Sequence, residues 1–537
     1  MNICKKTGLA LSLLAGSALM AGAQTTFTAD GIYYKVLSTS PARVSVERNA
    51  GSNYTGSVNI PASVNYEGTD YSVTAIGRGA FYNSMELTSV GIGANVAEIG
   101  VSAFAGCMSL QTINVDAANA VYSSREGVLF TKDGLILEKF PAAYASDSYT
   151  IPAGVQGIQV QAFDYTRDLT AVSFPSSLRE IGAYAFMASS ILEVDLPDGV
   201  TTLGDYAFYQ CPALGKATLG KGITAISGFC FNSCGELSSV TLKGAVESIG
   251  EFAFFSCFKL QEFDLPASLK SIGNGAFKSC ESLRRVSIGK NVASIGVVPW
   301  SFCKALRSFE VDADNGSFQA IGGVLFSKDG KTLIEYPAGR PGEYEVPDGT
   351  ATIGPNAFYY CTKLTEVSIP ASVTKIGDSA FHACSGLTMV AVPATEVGSQ
   401  AFMFCENLKS VHLRENVKSI GTLAFSMCDA LSYIFAQPAQ PPVLASENIF
   451  SDNTYANATL EVTDVDAYKS AFGWKLFRNC VSPIHGIGES TAEREVASQM
   501  YIGLDGQQYD APVRDGIYIV RTVYTDGTSS TQKLIVK

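Results

Sequence analysis

Apolar and polar positions along this chain follow one repeating order. An apolar residue and Gly are followed by two variable positions, Ala-Phe, two more, Cys, two more, Leu, two more, and Val-x-Ile. Residues 271–283, "SIGNGAFKSCESL", show the first part of the unit, and 248–260, "SIGEFAFFSCFKL", repeat it 23 residues earlier. The aromatic of Ala-Phe falls at 81, 104, 163, 186, 208, 231, 254, 277, 300, 358, 381, 402 and 425, which gives thirteen units. The Val-x-Ile segment alternates, as a short strand does. Such a strand buries its apolar side only when stacked on copies of itself, about 4.8 Å apart. The pattern therefore predicts a repeat solenoid with one long parallel β-sheet.

Other positions acquire roles within that frame. Gly250, Gly273, Gly296 and Gly377 follow the apolar residue and are expected to supply a backbone turn that a Cβ would hinder. Pro175, Pro197, Pro266 and Pro370 end strands where no further donor is needed. Two steps in the spacing are long, from Phe104 to Phe163 and from Trp300 to Phe358. The extra segments repeat each other, since Val121–Ala142 matches Ser317–Ala338. Each holds an Asp-Gly pair, Asp133-Gly134 and Asp329-Gly330, between apolar runs, so both inserts (near 116–150 and 312–345) are expected to bear hairpins.

Ten of thirteen cysteines occupy one position of the unit: Cys107, Cys211, Cys234, Cys257, Cys280, Cys303, Cys361, Cys384, Cys405 and Cys428. Units without it carry Ser84, Thr166 or Ser189, and Cys230 takes the place of an Ala. Small size unites these residues and thiol chemistry does not, so an interior row of unpaired thiols is expected. Adjacent coils lie close enough for disulfides, which leaves that alternative open on distance alone. One cysteine per coil nevertheless makes a row rather than designed pairs. No His or second Cys recurs beside it as a metal ligand, and no base recurs for nucleophilic use.

Composition narrows the function classes. Charged residues are only 16% of the chain and the net charge is −12, which argues against nucleic acid and anionic lipid as partners. Lys5 and Lys6 precede an apolar run that ends in Ala21-Gly22-Ala23, which reads as a secretory signal peptide of residues 1–23 cleaved between Ala23 and Gln24. No later segment reads as a membrane span. The expected location is therefore secreted or at the outer cell surface.

The unit I(G)xxAFxxCxxLxxVxIPxxV, as in "SIGNGAFKSCESLRRVSIGKNV", resembles the BspA-type leucine-rich repeat, also called the Treponema pallidum type. The resemblance covers about residues 50–480. It implies a right-handed solenoid, and a role at bacterial or protist surfaces in binding host proteins or other cells. Residues 24–66 are then an N-terminal cap, 67–436 the thirteen coils, and 437–481 a C-terminal cap. A polar linker is read at 482–497, before a small antiparallel β module at 498–537 with a turn at Asp526-Gly527. That module resembles the C-terminal sorting domains of type IX secretion in Bacteroidetes.

Candidate chemistry is sparse. His382, His412 and His485 are scattered, and His412 is expected to face solvent from a strand. The stretch "DADNG" (312–316) hints at a calcium loop, but its copy "DAANA" loses two oxygen ligands. No phosphate loop, nucleophile elbow or HExxH occurs, and no catalytic residue, cofactor or metal site is assigned. The outward row of strand residues is small and polar, with aromatics only near Tyr433 and Phe435. The candidate binding face is Arg284, Arg285, Arg307, Glu310, Glu262 and Asp264, with the inserts near Tyr122 and Phe318 as other contact points. The favoured expectation is a non-catalytic scaffold for protein or cell adhesion. The alternative is glycan capture at the cell envelope, which requires clustered exposed aromatics. An enzyme with its site in an insert or the terminal module is the least favoured.

Overall fold

A computed structural model of the chain describes residues 25–49, 51–482, 496–503, 507–511, 516–524 and 529–536. The segment expected to be a signal peptide, His485, most of the expected linker and the expected turn at Asp526-Gly527 lie outside the described residues. The protein is a β-solenoid with almost no helix, in two compact units that meet in sequence at Lys304 and Ala305.

In the first unit, the Val-x-Ile strands stack in parallel as expected. Gly56–Ile60, Leu87–Ile92 and Thr112–Val115 pair in register, as do Ser148–Thr150 with Ala171–Ser173. Glu193–Asp195, Lys216–Leu219 and Ser239–Leu242 form a third group. The expectation of one long sheet thus needs amending, because the row is broken into segments. One break falls at the insert, where the chain leaves the row between Val115 and Ser148.

A second parallel ladder also runs through each unit, built from pairs of residues around the repeated Ile. Gly157–Ile158, Glu180–Ile181 and Thr202–Leu203 pair in series, and so do Ala225–Ile226, Ser248–Ile249, Ser271–Ile272 and Ser294–Ile295. Strands of two residues are too short to show alternation, so the sequence pattern hides them. A glycine follows most of these strands (Gln159 and Ser227 stand in its place after Ile158 and Ile226), and it is there for a different reason from the expected turn. Its φ is ordinary; a Cβ on Gly273 would lie 2.5 Å from the Glu251 backbone N of the preceding coil. Close packing of coil on coil excludes the side chain.

The Ala-Phe segment forms the third side of each coil. In all thirteen coils the residues two before and two after the aromatic have positive φ, as at Tyr184 and Ala188 around Phe186. Most of these are not glycine, and a left-handed residue costs roughly 1–2 kcal/mol. The repeated hydrogen bonding offsets this cost. The N–H groups of Tyr184, Phe186 and Ala188 donate to carbonyls of Asp205, Ala207 and Tyr209 on the next coil, at 3.0, 2.7 and 2.8 Å. The intervening N–H groups close turns within the coil, as from Met187 to Tyr184. Inside, the phenyl rings stack from Phe163 through Phe186, Phe208, Phe231 and Phe254 to Phe277, 4.7–5.4 Å apart.

The insert of the first unit is a three-stranded meander: Tyr122–Arg125, Val128–Thr131 and Ile136–Lys139. Its second turn is Asp133-Gly134, where Gly134 has φ 71°. Its last strand joins the second ladder beside Gly157–Ile158. Phe140 then stacks on Phe163 at 4.9 Å, so the insert ends in an extra aromatic rung. Ahead of the coils, a sheet of Thr26–Ala29, Ile32–Thr39, Ala42–Val46, Thr69–Ile76 and Ser63–Tyr66 closes the stack.

The second unit repeats the plan. The meander Phe318–Ile321, Val324–Ser327 and Thr332–Glu335 leads into a ladder ending at Val443–Leu444. Met389–Val392, Ser410–Leu413, Tyr433–Ala436, Thr459–Val462 and Asn479–Val481 form the strand row. Two six-residue helices follow the last coils: Asp452–Asn457, capped by Ser451, and Val465–Ser470, capped by Asp464. The terminal residues form an antiparallel sheet of Val496–Gly503, Gln508–Tyr509, Gly516–Tyr524 and Ser529–Val536.

Candidate functional site

The thiol row is interior, unpaired and more specific than packing alone requires. All twelve described cysteines are free and buried. Each row thiol donates to the carbonyl of the aromatic one coil earlier: Cys234 to Phe208 at 3.0 Å, Cys257 to Phe231 and Cys280 to Phe254 at 3.2 Å, Cys384 to Phe358 at 3.0 Å. Burial pushes the Cys107 thiol up to about 12 and raises those of Cys257, Cys280 and Cys384 as well, which disfavours their thiolates. This row is structural.

The outward strand row sits directly above this core. In Arg285–Ile288 the side chains alternate exposed and buried, with Val286 and Ile288 inside. Arg284, Arg285, Glu262 and Asp264 are exposed on neighbouring coils of the first unit, linked by the Arg284 N–H to the Gln261 carbonyl at 3.2 Å. The Glu262 and Asp264 stretch carries no strand pairing, so these carboxylates stand on a break in the ladder. Arg307 and Glu310 belong to the second unit and are exposed there. On the row, charge is engaged between coils, as in Lys216–Glu193 and Lys243–Asp195, both at 3.1 Å.

His412 departs from expectation. It is half-buried, with its ring 4.7 Å from that of Phe435, because the neighbouring aromatic offers a better surface than water. His382 is buried against Tyr359 at 4.9 Å, and burial lowers its pKa. Asp312 of "DADNG" accepts from the Asp314 N–H, and Asn315 from Ser317 and Phe318, so the loop is held by its own side chains. Among the described residues no group of three His, Cys, Asp or Glu is placed to hold a metal. Nor is any helix there long and apolar enough to cross a membrane.

Three features were not anticipated. A second aromatic row lines the turn side of the first unit: Tyr184, Tyr206, Phe229 and Phe252 stack 4.5–5.1 Å apart and are half-buried. Their 22- and 23-residue spacing was visible in the sequence two positions before each core Phe. A buried ion pair, Lys139–Asp164, lies under the first insert with side chains 5% and 1% exposed. Asp164 also accepts from the Gly106 N–H at 3.0 Å, and Lys139 donates to the Gln161 carbonyl at 2.9 Å. It stitches together coils that the insert separates. Finally, a cavity of about 690 Å³ opens in the break of the strand row, between Gln111 and Thr112 on one side and Ser148 and Tyr149 on the other.

Parallel coils with an aromatic, thiol and aliphatic interior beneath a polar strand row define a leucine-rich repeat solenoid. More narrowly, the chain belongs to the BspA type leucine rich repeat family, whose model matches residues 59–127, 139–242, 201–334 and 342–457 in six copies. No curated protein sequence matches it. Among solved structures, it is similar to a leucine-rich repeat protein from Bacteroides ovatus (25% identity, TM-score 0.46), covering 82% of this chain and 100% of that one. It is also similar to a leucine rich cell surface protein from Faecalibacterium prausnitzii (23% identity, TM-score 0.40), covering 88% and 97%. The pneumococcal vaccine antigen PcpA is a further match (18% identity, TM-score 0.39), covering 86% and 99%.

Proposed function

We propose that the protein is an exported recognition scaffold that binds protein partners at the cell surface through its strand row and catalyses no reaction. The observation that carries this reading is the alternation of Arg285–Ile288 and its neighbours. A largely buried apolar row fixes an exposed polar one, giving a surface for many modest contacts. Membership of the BspA-type family supports it. In this reading Arg284, Arg285, Glu262 and Asp264 on the first unit, and Arg307 and Glu310 on the second, are the contact residues. Residues 1–23 are removed after Ala23, residues 24–66 and 437–481 cap the coils, and the module at 498–537 serves as a sorting signal joined by the 482–497 linker.

The test is capture of host matrix proteins or bacterial surface proteins by the purified mature chain. The variant Arg284→Glu/Arg285→Glu/Arg307→Glu is expected to lose most capture with unchanged thermal unfolding. Equal capture by both proteins would reject this face. Mass spectrometry of both ends of the exported protein tests the processing: an N-terminus other than Gln24 contradicts the leader, and an intact C-terminus on surface-attached protein contradicts removal of the module.

A further inference from the structure

We propose that the cavity beside the first insert binds a neutral saccharide, as a site separate from the strand face. It exists because the insert interrupts the strand row. Thr112–Val115 ends one ladder segment and Ser148–Thr150 begins the next, and the chain between them turns away to build the meander. The Ala143 N–H donates to the Leu110 carbonyl at 2.8 Å and fixes the floor. The opening of about 690 Å³ is within the roughly 300–1,000 Å³ range of small-ligand sites.

The lining states the ligand chemistry. The Tyr144 and Tyr149 rings meet edge to face at 6.0 Å and both pack on Phe140 at 4.8 Å. They are held in place and offer flat apolar surface of the kind that accepts the C–H face of a sugar ring. Gln111, Thr112 and Ser148 bring amide and hydroxyl groups that donate and accept, matching a ligand rich in hydroxyls. Glu126 is the single charged residue of the lining, and its carboxylate accepts hydroxyl protons while repelling anions. Arg125, which is not part of the lining, lies over the Phe130 ring at 5.4 Å.

The second insert supplies an internal control. Where the first has Tyr144 and Glu126, the matched positions are Arg340 and Gly322. Arg340 lies across the corresponding ring pair, 5.8 Å from Tyr336 and 5.6 Å from Tyr344, and donates to the Gly322 carbonyl at 2.7 Å. That copy covers its rings with its own guanidinium. In the first copy the Tyr144 ring lies on the matching Phe140 and Tyr149 rings, so an aromatic rather than a guanidinium lines the opening.

The experiment is calorimetric titration of the mature chain. The probes are neutral tetrasaccharides of glucose, mannose, galactose and N-acetylglucosamine, with tetragalacturonate and a tetra-arginine peptide as charged counterparts. Saturable binding of at least one neutral tetrasaccharide is expected, with tetragalacturonate weaker by about tenfold or more. Tyr144→Arg, which imports the residue of the second insert, is expected to weaken binding about tenfold, and the exposed change Gln111→Ala several-fold. Arg284→Glu/Arg285→Glu leaves saccharide binding intact, so failure here and failure of the strand-face reading are separable. The proposal is overturned if no neutral saccharide binds, if Tyr144→Arg and Gln111→Ala both bind as the wild type does, or if tetra-arginine binds in preference.

Discussion

Cys257 shows how one side chain can be fixed by two requirements at once. It must be small enough for the space beneath the next coil, and its thiol donates to the Phe231 carbonyl at 3.2 Å. The sequence disclosed the first requirement through the Ser and Thr replacements; the second needed coordinates, because the acceptor is a backbone atom 26 residues away. Cys257→Ser keeps both volume and donor and is expected to cost under about 1 kcal/mol. Cys257→Leu overfills the site and is expected to cost about 1–3 kcal/mol. Urea midpoints measure the order, and a reversal would show that volume is not what selects this residue. Glu138 carries a different signature. Burial raises its carboxyl from the usual 4.5 to about 7, against a long hydrogen bond from Gln159 at 3.5 Å. A raised folded value means that folding favours the protonated form. Its contribution is full below about pH 4.5 and is lost as pH rises through about 7. Glu138→Gln is therefore expected to be near neutral at pH 4.5 and stabilising at pH 8 by at most about 3 kcal/mol. Denaturant midpoints across that range, equal in both proteins at every pH, would refute this.

Among the elements, the inserts were half legible. The Asp-Gly pairs located a turn, and Gly134 and Gly330 do adopt φ 71°. The final strand and rung were missed because Lys139-Phe140-Pro141 does not spell Ala-Phe, although Phe140 stacks on Phe163 like any other coil. The Lys139–Asp164 stitch left no periodic trace, since it answers a single interruption. Where the insert stands, the Gly106 N–H finds a carboxylate oxygen instead of a carbonyl on the following coil. Asp164→Ala removes that acceptor and strands a buried ammonium, and is expected to cost about 3–5 kcal/mol. The double change Lys139→Met/Asp164→Leu is expected to recover much of this, because an apolar pair needs no desolvated partner. Equal losses in the single and double variants, read from denaturant midpoints, would mean that the site acts only through packing. The left-handed positions were equally invisible, for residues as unlike as Tyr206, Ser233 and Val298 share that backbone. Val298 is the least suited of them, being β-branched at φ 48°. Val298→Asn, which copies Asn356 at the same position of another coil, is expected to stabilise by about 0.5–1 kcal/mol. A lower midpoint for Val298→Asn would mean that the valine side chain contributes more in packing than its backbone costs.

At the scale of the whole molecule, a stack of coils has no edge until it ends, and then it has several at once. The last coil of the second unit exposes three ladders together: the strand row, the two-residue ladder and the turn side. The chain after Ala436 meets all three. Thr459–Val462 and Asn479–Val481 extend the strand row, and Val443–Leu444 extends the short ladder. Phe450 stacks on Phe425 at 5.4 Å and closes the aromatic column. Trp474 and Tyr468 anchor this covering by donating to the carbonyls of Pro442 and Pro438, at 2.8 and 3.0 Å. The repeat itself ends in the sequence at Phe425, so periodicity marks where the covering must begin but not how it is made. A repeat stack without such an end presents unpaired strand edges to other copies. Ending the chain after Ala436 is accordingly expected to give aggregated protein, whereas ending it after Ser482 leaves the covering in place and is expected to give a soluble solenoid. Size-exclusion chromatography of the two truncations decides the matter. A monodisperse product from the shorter chain would mean that the coils close themselves, and the residues from 437 to 481 would then need a purpose other than capping.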